Sequence, residues 1–130
     1  MLALLFSAAF AGDLIVHLTG DTTPPGTVRC ALFDSREGFP GQADKATATA
    51  ASAAGPAPTC RFPAVVPGRY AISVVHDRND NRGMDTNLVG VPLEPWGVSG
   101  DARPTMRAPT FDDAVVDVPA AGLALTIRLE

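Results

Sequence analysis

Arg69-Tyr70-Ala71-Ile72-Ser73-Val74-Val75-His76 is the stretch on which the fold class turns. In an extended chain Tyr70, Ile72, Val74 and His76 share one side, and Ala71, Ser73 and Val75 the other. Such period-two alternation is that of a strand with one face in a core. Pro67-Gly68 just before it is a turn signal. The same alternation recurs in both directions along the chain. Leu14, Val16 and Leu18 share a face in 13–19. Val28, Cys30 and Leu32 share one in 27–33, with Arg29 opposite. Leu123, Leu125, Ile127 and Leu129 do so in 123–129. Weaker candidates are 47–53, 59–65 and 114–118. Pro24-Pro25-Gly26, Gly55-Pro56 and Pro119-Ala120-Ala121-Gly122 separate them. About seven short strands spaced by turns predict an all-β domain, a single antiparallel β-sandwich.

Composition agrees. Twelve glycines and twelve prolines in 130 residues argue against long helices, and 46% apolar residues suffice for one core. The net charge is −4 with no basic run, which excludes nucleic-acid binding as a leading expectation. A single domain over 12–130 follows. Residues 1–11 read as a secretory signal: an apolar run closes on Ala9-Phe10-Ala11, small residues where a signal peptidase reads, so the mature chain is expected to begin near Gly12. The competing reading is a hydrophobic first strand. The apolar run is too short to span a bilayer, which takes about 20 residues. The expected location is secreted or periplasmic.

In such a compartment Cys30 and Cys60 predict one disulfide, against the alternative of two buried thiols. Asp112-Asp113 lies beside the weak strand candidate at 114–118. Adjacent carboxylates on a strand point to opposite faces, so the pair is not expected to share a proton.

From Asp77 to Asp113 the alternation stops, which marks a long irregular segment of functional interest. It opens with Asp77, Asn79, Asn81 and Asp85, oxygen-bearing side chains at positions one, three, five and nine of a calcium-loop count. Gly83, through its carbonyl, and Glu94 are possible additional ligands. Arg82 stands at the position where such loops place glycine, and Leu88 where they place a bidentate Glu. The alternative is a set of Asx-turns bonding their own backbone. Trp96, the sole tryptophan, reads either as an exposed anchor or as a plug over one end of the domain. With Asn87 and Ser99 it forms a possible ligand surface. His76 is expected to be a structural hydrogen-bonding residue.

The run His76-Asp77-x-Asn79-x-Asn81-x-Gly83-x-Asp85-x-Asn87-x-x-Gly90-x-Pro92-x-Glu94-x-x-Gly97-x-Ser99 resembles the bacterial domain-of-unknown-function family 2141. Ala31-Leu32-Phe33-Asp34-Ser35-x-Glu37-Gly38-Phe39-Pro40, Pro67-Gly68-x-Tyr70-Ala71 and Ala108-Pro109-x-Phe111-x-x-Ala114 resemble it too. The resemblance implies a small exported β-sandwich, akin to transthyretin-like and collagen-adhesin B-type domains, and no assigned activity. This chain departs from it at Arg82, where glycine is usual, and at Trp96-Gly97-Val98-Ser99, where Phe usually precedes the Ser.

The expectation drawn is a non-enzymatic exported module that binds a partner or glycan through a loop ordered by Ca2+. The alternative is a metal-assisted hydrolase or carbohydrate-active enzyme using the loop carboxylates. No catalytic residue is assigned. No Gly-x-Ser-x-Gly elbow occurs, and the chain has only two histidines, His17 and His76.

Overall fold

The structure is a computed structural model that describes residues 11–82 and 94–130. Among the described residues eight strands form two sheets: β1 (Gly12–Gly20), β2 (Thr27–Phe33), β3 (Ala48–Ala53), β4 (Thr59–Val65), β5 (Gly68–Asp77), β6 (Trp96–Val98), β7 (Val116–Val118) and β8 (Leu123–Leu129). One sheet has the order β4-β1-β8. The other runs β3-β2-β5-β6, with β7 paired to the first residues of β5. The all-β class therefore stands. Among the described residues helix is limited to short 3-10 turns at Ala43–Lys45 and Ser99–Asp101 and one α-helical turn, α1 (Phe111–Ala114).

Each alternating face lies where its period put it. Leu14, Val16 and Leu18 of one sheet meet Val28, Cys30, Leu32, Ile72 and Val74 of the other in one buried cluster, which Phe62, Ile127 and Leu129 complete. Burying these side chains supplies the main driving force, at about 25 cal/mol per Å² of apolar surface removed from water. The Cys30–Cys60 disulfide crosses this cluster from β2 to β4, Cα to Cα 6.5 Å, and so ties one sheet to the other. Tyr70 sits at the rim, its hydroxyl donating to the Val66 carbonyl at 2.6 Å and closing the turn from β4 into β5. Burial and then the nearby Asp34 charge push its phenol pKa up.

Three expectations need correction. The architecture is not wholly antiparallel: β1 pairs β8 in parallel, Leu14 opposite Leu123 through Gly20 opposite Leu129. Period-two alternation carries no direction, and a parallel pair needs only a long crossover, here almost the entire chain. The 77–113 segment is not irregular throughout, because it contains β6, a 3-10 turn and the start of α1. Asp112 and Asp113 stand on that helical turn and not on a strand. Thr110 caps it, with the Thr110 hydroxyl accepting from Asp113 N–H and the Asp113 carboxylate from Thr110 N–H. Asp113 also pairs with Arg107 at 2.7 Å, and these contacts hold its pKa down at about 2.

The two sheets also meet along one side. Trp96 and Glu130 exchange backbone hydrogen bonds of 3.1 and 3.2 Å, and Asp101 accepts the Arg128 N–H at 2.9 Å. At Gly97 a Cβ would collide with the Arg128 carbonyl and the Ile127 side chain, so the close approach of β6 to β8 requires glycine there.

Candidate functional site

The last residue of β5 and its neighbours organise one end of the molecule. His76 points into the core side and is fully buried, with Nδ1 3.0 Å from the Asp21 carbonyl and Nε2 2.8 Å from the Pro25 carbonyl. It thus fastens the β1–β2 connection to β5, the structural role read from the sequence. Asp77, the next residue, faces the outer side of the five-stranded sheet and is also fully buried. Its Oδ2 accepts Arg29 Nε and the Arg82 N–H, both at 2.8 Å, and Oδ1 accepts the Asn81 N–H at 3.1 Å. Thr27 is the register partner of Asp77, so Arg29 reaches it diagonally from two residues along β2.

Burial raises the Asp77 pKa, but the Arg29 guanidinium and the two backbone N–H groups outweigh it and hold the carboxyl below its usual range. Asn79 Oδ1 accepts the Asn81 N–H at 3.2 Å, an Asx-turn, and Asp80 lies 3.5 Å from the Arg29 guanidinium. Arg82 has φ 68°, the left-handed conformation in which glycine is the unstrained residue. Its N–H is one of the two backbone N–H groups that Asp77 holds.

The returning strand is fixed at the same place. The buried Glu94 carboxylate accepts the Arg78 N–H at 2.7 Å, and the His76 N–H donates to the Pro95 carbonyl at 2.9 Å. The segment that leaves β5 after Asp77 and re-enters at β6 is therefore closed at its base by two carboxylates, one on each limb. The Arg78 side chain adds an ion pair to Asp21 at 2.7 Å.

Of the expected ligand set, Asp77, Asn79, Asn81 and Glu94 gather at this base. Gly83, Asp85 and Asn87 lie outside the described residues, as does most of the expected signal segment. Among the described residues no group of three or more His, Cys, Asp or Glu side chains could hold a metal ion. Asp77 already meets a guanidinium and two N–H groups, so a cation at its oxygens would compete with Arg29.

The expected ligand surface divides. Ser99 is not part of it: the side chain is fully buried, its Oγ donating to the Ala114 carbonyl and accepting the Ile72 N–H at 3.0 Å. It joins β5, the turn after β6 and α1. Trp96 is half-buried on the outer face, opposite Val75 of β5. Arg103 stacks on the ring, its guanidinium 3.8 Å from the centroid, while also donating to the Trp96 and Glu130 carbonyls.

Two residues of this region were missed from the sequence, Arg29 and Arg103. A lone charge on the outer face of a strand whose other face is apolar was the available signal for Arg29.

No curated protein and no solved structure matches this chain. No helix among the described residues is long and apolar enough to cross a membrane. Residues 16–125 match the model of a family described as an uncharacterized protein conserved in bacteria, DUF2141, and with that match spanning most of the sequence the chain belongs to this family.

Proposed function

We propose that the protein is an exported, non-enzymatic β-sandwich of transthyretin-like character that binds a partner or glycan through the loop between β5 and β6. The observation that carries this reading is the closed loop base. Asp77 and Glu94 fix both limbs of an excursion at one end of a stapled scaffold, and the Trp96–Arg103 stack lies next to its exit. A connecting segment anchored at a rigid base is how scaffolds present binding residues.

The chemistry of the fixed groups favours binding over catalysis. The buried imidazole sits against two carbonyls, Asp77 is engaged by three donors and Ser99 by two backbone groups. None is presented as a base beside a nucleophile. Export is supported by the disulfide and by the apolar start.

Calcium ordering belongs to the same proposal. With Asp77 paired to Arg29, an ion in this loop would draw chiefly on Asn79, Asn81, Asp85 and Glu94, and Asp77 would hold the base. Hard oxygen donors of this kind suit Ca2+. The test is a thermal melt with millimolar calcium and with chelator, on wild type and Asp85→Asn, alongside glycan-array binding by wild type and Trp96→Ala. A melting temperature that rises with calcium in wild type alone supports ion ordering, and a curve unmoved by either reagent removes calcium from the reading. Glycan binding lost in Trp96→Ala at unchanged stability supports the binding surface. Binding that survives Trp96→Ala removes Trp96 from it.

A further inference from the structure

β1 is the middle strand of its sheet, with β4 along one side and β8 along the other, and Gly12 is its first residue. The start of this strand is held tightly. Ala11 and Gly12 are both half-buried, and Gly12 lies opposite Val65 of β4. Gly12 also stands flush against the turn into β8, which the Gly122 N–H closes by donating to the Pro119 carbonyl at 2.9 Å. A Cβ on Gly12 would collide with the Gly122 nitrogen and the Ala120 carbonyl, and one on Gly122 would collide with the Asp13 carbonyl. The Asp13 side chain is fastened to β4, its carboxylate pairing with Arg61 at 2.7 Å and accepting the Ala64 N–H at 3.2 Å. Leu14 follows, fully buried and opposite Leu123 of β8.

This is also the place where the Ala9-Phe10-Ala11 pattern offers a bond to a signal peptidase. A protease takes its substrate as an extended chain, on both sides of the bond it cuts. A folded chain is therefore cut through an opened state, at a rate that follows the population of that state.

We propose that the Ala11–Gly12 bond is a processing site that folding seals. The inference rests on the export reading above and adds an order of events to it. Hydrolysis breaks the bond between the Ala11 carbonyl carbon and the Gly12 nitrogen. Water adds its hydroxyl to that carbon and its hydrogen to that nitrogen, and transfer of the acid proton leaves a carboxylate and an ammonium. In the folded domain Gly12, Asp13 and Leu14, the residues that follow the bond, are all engaged by β4, by β8 or by the turn into β8. The cut is therefore made before β1 is paired. β8, which completes the enclosure, is the last strand of the described chain, so the bond is open while the chain emerges unfolded. A chain that folds first keeps residues 1–11.

The test is incubation of the full chain with purified signal peptidase in detergent, read by intact mass, with a known preprotein in the same reaction to report enzyme activity. Native wild type is compared with Ile127→Asp, which puts a charge at a fully buried core position and unfolds the domain. Wild type diluted from urea directly into the enzyme is the second comparison, free of any substitution. Cleavage after Ala11 is expected in both unfolded forms, and about a hundredfold more slowly in the native chain. Native chain cut as fast as the unfolded forms overturns the sealing and leaves the export reading standing. Unfolded chain left uncut after Ala11, while the known preprotein is processed, overturns both.

Discussion

Arg29 and Cys30 are neighbours on β2 and serve two regions built on different physics. Cys30 faces inward, and its sulfur joins Cys60 within the apolar cluster that both sheets share. Arg29 faces outward, and its guanidinium meets the buried Asp77 at the base of the β5–β6 loop. The inner region depends on a covalent link and on buried apolar area, and that area is non-directional and tolerates small shifts of position. The loop base depends on three donors reaching one carboxylate, and directed hydrogen bonds do not tolerate such shifts. One strand thus carries a robust interior on one face and a geometrically exacting polar hub on the other.

The largest effect expected from breaking that contrast is on the inner side. A link across a 30-residue separation is worth roughly 3.5 kcal/mol in the chain-entropy model. The Cys30→Ala/Cys60→Ala variant is expected to melt roughly 10–15 °C lower, in one cooperative transition, with the same strand content by circular dichroism. A melt within a few degrees of wild type would mean that packing alone holds the sheets together. Loss of strand signal would mean that the cluster cannot form without the link.

Next in size is Asp77→Ala, expected to cost about 3 kcal/mol, the lower end for breaking a buried ion pair because Arg29 keeps some exposure. Exchange should accelerate at the Asn81 and Arg82 amides first, while the inner strands keep their protection. The acid limb follows from the same contacts. The folded state holds the Asp77 carboxyl below the usual 3.8, so its contribution is complete above that pH and is lost as pH falls through the lower folded value. Urea melts at stepped pH should show that loss in wild type and not in Asp77→Ala. Equal acid sensitivity in both would assign the limb to other carboxylates, Asp113 among them.

The same contrast explains what could be read from the sequence. The inner faces were legible because alternation alone specifies them. Leu14, Val28, Ile72 and Ile127 are fully buried as their period requires. The disulfide was legible because only two cysteines exist. The hub was half legible: the carboxylates and amides announce a polar loop, but Arg29 stands 48 residues before Asp77, and only the β2–β5 register brings them together. Ser99 looked like surface because nothing local shows that α1 closes over it. The Thr110-x-x-Asp113 spacing that starts α1 is a capping pattern, which a reading by strand alternation does not register. The parallel β1–β8 pair had no local signal, since direction is a property of the path between strands.

The smallest effect is the sharpest probe of the hub, and it lies at Arg82. Its φ of 68° costs an L-residue about 1–2 kcal/mol relative to the right-handed region. Glycine removes that cost but adds freedom to the unfolded chain, worth about 0.4–1 kcal/mol in the opposite direction. Since Asp77 holds the backbone N–H of residue 82 and not its side chain, Arg82→Gly keeps the hub intact. The net expectation is a gain of about 0.5 kcal/mol, read as a rise of about 2 °C in melting temperature. Arg82→Ala keeps the steric cost without the guanidinium and should melt within a degree of wild type. If Arg82→Gly instead melts lower while Arg82→Ala also falls, the guanidinium contributes to the loop, and the hub extends beyond the backbone donors that meet Asp77. If only the glycine variant falls, the conformation is not held by Asp77 strongly enough to offset the added freedom, and the base of the loop is looser than its hydrogen bonds indicate.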